Sequence, residues 1–115
     1  MSRRYEDRLL DYLKNYLEVG SKVKRILSSI DPKVRVYIFG SVVKGYTTAL
    51  SDIDILVVTE NIDMKYEMMM RVYREVEAPV ELHITTPEKF SSWYKRFISP
   101  NEIIEVKSEN QEKEV

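Results

Sequence analysis

The chain lacks cysteine, has a single histidine and contains no apolar run long enough to cross a membrane. Without cysteine it forms no disulfide bond, and without a membrane-length run or a secretory signal pattern we expect a soluble, cytoplasmic protein. The chain also has no excess of one charge, because it contains 18 basic and 19 acidic residues and its net charge is -1. Composition therefore gives no reason to expect a membrane or long nucleic acid as a partner.

A length of 115 residues with 43% hydrophobic content is enough for one domain with a modest core. A second folded domain is not expected. We predict a single domain over residues 1–106, followed by a charged, disordered tail over residues 107–115.

The stretch from Gly40 to Asp54 combines a turn suited to phosphate with a pair of carboxylates. It lies between two β-rich runs, residues 34–39 and 53–58, which we predict to be strands. Gly40 and Ser41 end the first run and can open a short helix, whose free backbone N–H groups would point at an anion. Glycine lets a phosphate approach the main chain closely. This turn is therefore a candidate phosphate site.

The carboxylates of Asp52 and Asp54 are two residues apart, so on a strand they project to the same face. Hard oxygen ligands of this kind suit magnesium. Lys44, in the predicted short helix, is a candidate phosphate contact, although a solvent-facing lysine is an equal alternative. Ser51 is a candidate cap that orients the neighbouring aspartate. The stretch as a whole predicts a nucleotide and magnesium site.

Helical periodicity predicts three further elements. An amphipathic helix is expected from Arg3 to Leu27, with Gly20 as a candidate interruption. A second helix is expected over residues 63–77, where a methionine stripe is better explained by core filling than by a binding surface. A third helix should begin at Pro87, with the preceding threonine as its cap.

The run Val80–Thr85 alternates with a period of two, which predicts a strand. Its apolar residues would face the core, while Glu81 and His83 would face the other way. An acid-base or substrate role for His83 stays open beside the commoner one of a histidine satisfied by its neighbours.

Two other phosphate-handling motifs fit these residues poorly. An aspartate-based phosphatase carries its Asp-x-Asp motif after an apolar strand, whereas here the apolar run follows the aspartates. A Walker-type loop ends in Gly-Lys-Ser or Gly-Lys-Thr, and neither follows Gly40 or Gly45. A capped, solvated turn would explain Asp52 but not the Gly-Ser pair at this distance.

The pattern Gly-Ser, ten residues, Asp-x-Asp resembles the signature of the DNA polymerase beta superfamily of nucleotidyltransferases. Four such residues should match by chance in roughly one chain in a thousand of this size. The resemblance implies that Gly40 and Ser41 hold a triphosphate and that Asp52 and Asp54 bind two magnesium ions. It also implies a third carboxylate from a later strand, a role we assign to Glu81, although many relatives use aspartate there.

Among members of that superfamily, the short chain is similar to the minimal nucleotidyltransferases. The resemblance implies an α/β, palm-like fold with a small mixed sheet layered by helices, and transfer of AMP from ATP to a hydroxyl. Such enzymes commonly act as antitoxins that AMPylate a HEPN-type ribonuclease, so that a partner protein or a second subunit would supply the acceptor. Two alternatives stay open: a non-catalytic module that inhibits its partner by contact, and an enzyme acting on a small molecule.

Overall fold

Four strands form one sheet in the computed structural model, which describes residues 7, 15–40, 43, 52–94, 96 and 98–107. The strands are β1 (Arg35–Phe39), β2 (Ile53–Val58), β3 (Val80–Thr85) and β4 (Ile103–Val106). Their order across the sheet is β3-β2-β1-β4. β1 runs antiparallel to β2 and β4, whereas β2 and β3 are parallel. The predicted α/β fold with a mixed sheet is confirmed.

Two helices pack on one face of this sheet. α1 spans Tyr16–Ser28, and α2 spans Lys65–Glu75 after a 3-10 turn at Ile62–Met64. Apolar residues at three- and four-residue spacing turn one side of each helix toward the strands. The main buried side chains of this interface are Val19, Val23, Ile26, Leu27, Val36, Ile38, Ile53, Ile55, Val57, Met68, Val72, Val80 and Leu82. Met68 is fully buried, so core filling is confirmed for the centre of the methionine stripe.

Gly20 does not interrupt α1, so that prediction was wrong. A Cβ atom at Gly20 would lie 2.6 Å from Cδ1 of Ile38 and 2.9 Å from Cγ2 of Val106. Glycine is needed at this position because the helix backbone at Gly20 lies too close to Ile38 and Val106 for even a Cβ atom to fit. The part of the predicted first helix before Asn15, apart from Asp7, lies outside the described residues.

The opposite face of the sheet carries a smaller cluster instead of the two long helices. α3 (Pro87–Lys89) starts where it was predicted, with the Thr86 hydroxyl oxygen accepting a hydrogen bond from the Lys89 N–H, and continues as a π-helical turn over Phe90–Tyr94. Phe90 stacks on Tyr37 with ring centroids 4.8 Å apart. Leu56 and Val58 complete this cluster.

Strand β3 lies at one edge of the sheet. Tyr73 of α2 reaches this edge, where its hydroxyl oxygen accepts a hydrogen bond of 3.0 Å from the Leu82 N–H. The side chain is still about half exposed. Among the described residues, no helix has both the length and the apolarity that crossing a membrane requires.

Candidate active site

Two carboxylates meet on the sheet face that lies opposite α1 and α2. The parallel register of β2 and β3 pairs Asp54 with Glu81, and the antiparallel register of β1 and β2 pairs Asp54 with Phe39. Ile53 and Ile55 are buried against the helices, so Asp54 between them points to the opposite face. Alternation places both acids on one face, and the register of β2 against β3 brings them together although they are far apart along the chain.

His83 joins these carboxylates, because it lies two residues beyond Glu81 on the same face of β3. Its Nε2 atom is 3.5 Å from Oδ1 of Asp54 and 3.9 Å from Oε1 of Glu81. The imidazole ring meets the ring of Phe39 edge to face, with centroids 5.3 Å apart. Asp54, Glu81 and His83 each offer one ligand atom, and all three atoms lie within 4.8 Å of one another.

Gly40 lies directly against this cluster at the end of β1. Its φ angle is +87°, in the left-handed region that favours glycine. A Cβ atom at this position would be 2.6 Å from Oδ2 of Asp54. The bare backbone of Gly40 therefore leaves room for the carboxylate and for anything bound to it.

The other predicted site residues are only partly described. Asp52 precedes β2, is exposed and does not belong to the three-residue cluster. Ser41, Lys44 and Ser51 lie outside the described residues. The turn after β1 is described by Gly40 and Val43, whose N–H donates a hydrogen bond of 3.2 Å to the Gly40 carbonyl oxygen.

The electrostatics of the cluster are dominated by Asp54. Burial raises the pKa of this carboxyl above its usual value of 3.8, because a buried charge loses solvation. The hydrogen bond and the charge of His83 act in the opposite direction, and the negative charges of Glu81 and Asp52 raise the pKa further. Burial and the neighbouring acids thus disfavour the charged form of Asp54, and a nearby positive charge would favour it.

Residues 21–106 match the protein family described as the nucleotidyltransferase domain. The chain belongs to this family. The resemblance to nucleotidyltransferases is therefore confirmed, and Asp54 and Glu81 lie within the matched residues, on adjacent strands.

Solved structures agree with this assignment. A crystal structure of a proposed nucleotidyltransferase is 30% identical, covers 75% of this chain and 95% of its own, and superposes with a TM-score of 0.59. A second one, from Sulfolobus solfataricus, is 22% identical, with coverage of 94% and 87% and a TM-score of 0.57. No curated protein matches the chain significantly.

A third similar structure contains a partner protein. It is the complex of a tri-AMPylated Shewanella oneidensis HEPN toxin with its MNT antitoxin, and the match is 22% identical with a TM-score of 0.50. The match covers 84% of this chain and 75% of the other. At this identity the similarity describes the fold.

The cluster of this nucleotidyltransferase domain fits a divalent metal ion. Two carboxylate oxygens and one imidazole nitrogen converge from adjacent strands, and their atoms all lie within 4.8 Å of one another. Carboxylates are the protein ligands that magnesium prefers, whereas imidazole suits transition metals. Asp54 and Glu81 could hold Mg²⁺ or Mn²⁺ with few adjustments, and Asp52 could join by turning its exposed side chain.

Removing the charge of Asp54 should stabilise the metal-free protein. A folded-state pKa above the unfolded value means that ionisation disfavours folding, so the penalty is complete at neutral pH. We expect Asp54→Asn to raise the free energy of unfolding by roughly 1 kcal/mol, seen as a melting temperature a few degrees higher. The gain should shrink as the pH falls through the raised pKa and vanish below the ordinary value of 3.8.

Thermal unfolding in chelator, followed by circular dichroism from pH 3 to pH 8, measures this effect. Asp52→Asn is the matched control, because an exposed carboxylate should change stability by less than about 0.5 kcal/mol. An Asp54→Asn protein that is less stable than the wild type at pH 7 would contradict the electrostatic account.

Proposed function

We propose that this nucleotidyltransferase domain transfers AMP from ATP to a hydroxyl group of a HEPN-type toxin and thereby acts as its antitoxin. The observation that carries the proposal is the pairing of Asp54 with Glu81 beside Gly40, on a sheet face that α1 and α2 leave free. The Shewanella complex supports the choice of acceptor, because there an MNT antitoxin is found with an AMPylated HEPN toxin.

The chemistry is an in-line displacement at phosphorus. The acceptor oxygen forms a bond to the α-phosphorus of ATP, the bond to the α,β-bridging oxygen breaks, pyrophosphate leaves and the hydroxyl proton is released to solvent. Two magnesium ions, when bound, would supply the positive charge that the triphosphate needs. The chain's own contribution is positioning and compensation of charge.

Individual residues then have defined tasks. Asp52, Asp54 and Glu81 would bind the metal ions, and the backbone at Gly40 would let the phosphates come close. Ser41 and Lys44 would contact the triphosphate, while Ser51 would orient Asp52. Because this reaction consumes ATP, the proposal agrees with the cytoplasmic location expected from the sequence.

Intact-mass spectrometry tests the proposal directly. The full chain is incubated with ATP, Mg²⁺ and a HEPN-type partner protein, and the partner's ribonuclease activity is followed in parallel. We expect the partner to gain one or more AMP groups and to lose ribonuclease activity. Replacing ATP with GTP, CTP or UTP in the same assay establishes which nucleotide is the donor.

Two variants make the result specific. Glu81→Gln should keep most of the ATP affinity but slow transfer by at least about a hundredfold, because one metal ligand is lost. Glu67→Gln, an exposed carboxylate on α2, is the matched control and should behave like the wild type. Transfer by Glu81→Gln at the wild-type rate would refute the assignment of Glu81.

The assay also separates the two alternative functions. Inhibition of the partner without any gain of AMP would mean that the protein is a binding module that acts by contact. An AMP adduct on a small hydroxylated molecule, with an unchanged partner, would mean a small-molecule nucleotidyltransferase. Size-exclusion chromatography of the mixture shows whether the two proteins form the hetero-oligomer that protein AMPylation requires.

A further inference from the structure

We propose that His83 is a direct metal ligand and that its nitrogen makes this site prefer Mn²⁺ to Mg²⁺. The inference rests on the proposed metal-dependent nucleotidyl transfer and deepens it, since an imidazole ligand would strengthen the preference for Mn²⁺ beyond that of an all-carboxylate site. The proposal assigns one role to His83, for which the sequence alone left several roles open.

The position of the His83 imidazole nitrogen supports metal binding. Nε2 of His83 faces both carboxylates at once, 3.5 Å from Asp54 Oδ1 and 3.9 Å from Glu81 Oε1. With metal–ligand bonds of about 2.1 Å, neighbouring ligand atoms in an octahedron lie about 3.0 Å apart and opposite ones about 4.2 Å apart. Both observed distances fall between these limits. All three ligand atoms lie within 4.8 Å of one another, and rotation of the exposed Glu81 side chain can bring the third pair, Asp54 and Glu81, within the same limits.

Contacts within the sheet orient the imidazole toward the two carboxylates. Phe39, which pairs with Asp54 across β1 and β2, contacts the ring of His83 edge to face. The backbone of His83 is fixed in turn by the register of β3 against β2, opposite Leu56. A ligand that is oriented before the ion arrives loses less conformational entropy on binding.

The chemistry of the donors then sets the preference. Imidazole nitrogen binds first-row transition ions readily, whereas Mg²⁺ favours oxygen ligands. Mn²⁺ accepts both oxygen and nitrogen ligands, so it can bind the two carboxylate oxygens and the imidazole nitrogen together. Cells contain far more Mg²⁺ than Mn²⁺, so a nitrogen ligand would let the site select the scarcer ion.

Electron spin-echo spectroscopy of bound Mn²⁺ tests the ligand itself. The chain has one histidine, so any coupling to an imidazole nitrogen in the untagged protein can come only from His83. We expect a directly coordinated nitrogen signal that changes when histidine is labelled with ¹⁵N and disappears in His83→Gln. Bound Mn²⁺ without a coordinated imidazole nitrogen would overturn the inference.

Calorimetric titration of Mn²⁺ and Mg²⁺ tests the preference. We expect His83→Asp, which makes the ligand set all oxygen, to lower the ratio of Mn²⁺ to Mg²⁺ affinity at least tenfold relative to the wild type. His83→Gln should weaken Mn²⁺ binding at least tenfold and Mg²⁺ binding less. An unchanged ratio in both variants would also overturn the inference.

Failure of this inference is distinguishable from failure of the proposed function. If Mn²⁺ binds through Asp54 and Glu81 but shows no histidine nitrogen, the proposed transfer stands and only the role of His83 is wrong. If neither ion binds to the wild type with or without ATP, the metal site itself is refuted, and with it both proposals.

Discussion

Asp54→Asn is expected to lower the rate of AMP transfer by at least about a thousandfold, equivalent to about 4 kcal/mol of transition-state stabilisation. Asp54 lies at the centre of the cluster, because it is paired with Glu81 in register, contacts His83 and faces Gly40. An amide oxygen there carries no charge and binds a divalent ion weakly. The measurement is the single-turnover rate of AMP transfer to the partner at saturating ATP.

The transfer rate of Asp52→Asn is the informative comparison with that of Asp54→Asn. Asp52 is exposed and does not belong to the cluster of three possible ligands, so we expect it to contribute less to metal binding than Asp54. We expect a loss of about a hundredfold, smaller than for Asp54. Wild-type transfer by Asp54→Asn would refute the active site proposed for this face, whereas wild-type transfer by Asp52→Asn would remove Asp52 alone from it.

Gly40→Ala should both destabilise the protein and weaken its metal binding, although it adds only one methyl group. The φ angle of +87° makes any other residue strained, at a cost of about 1–3 kcal/mol. The new methyl would also press on Oδ2 of Asp54 from 2.6 Å and displace that carboxylate. We expect at least tenfold weaker Mn²⁺ binding by calorimetry, in the range seen when a ligand's supporting contacts are lost.

Gly20→Ala is the matched control for this experiment. Its added methyl would crowd Ile38 and Val106 between α1 and the sheet, on the opposite face from Asp54. Overpacking of this kind costs about 1–3 kcal/mol, so both variants should lose stability. Only Gly40→Ala should lose metal affinity, and equal losses in the two proteins would show that general destabilisation explains the effect.

Much of this fold was predictable because its central elements carry strong local patterns. The buried run at residues 53–58 and the alternating run at residues 80–85 both form strands with the predicted bounds. Alternation alone also predicted which side chains of β3 turn away from the core. The cap at Thr86 follows from a residue type whose side-chain oxygen satisfies a free helix N–H.

What escaped prediction depends on contacts between distant segments. No strand was predicted at Ile103–Val106, because a four-residue edge strand is defined by its pairing with β1 rather than by its own pattern. Gly20 appeared to be a helix breaker because the closeness of α1 to the sheet is invisible in sequence. His83 was separated from Asp54 by 28 intervening residues, and only the parallel register brings its Nε2 to the carboxylate.

The site residues also differ in how much of their placement could be predicted from local sequence patterns. Asp54 and Glu81 were chosen from the sequence, and the structure brings them together. Their roles, and those of Asp52, Gly40, Ser41, Lys44 and Ser51, stay predictions. Spacing can indicate that two acids share a strand face, but the order of strands in the sheet decides which acid from elsewhere joins them.

The Tyr73 hydroxyl at the edge of β3 restricts how another protein can reach the site. A free edge strand invites a foreign strand to extend the sheet, which is a common mode of peptide recognition. Here the Leu82 N–H, midway between Glu81 and His83, already donates its hydrogen bond to Tyr73. A strand added along β3 would have to displace that hydroxyl first. Along the described part of β3, loss of the hydrogen bond between Leu82 and Tyr73 is therefore part of the cost of adding a strand.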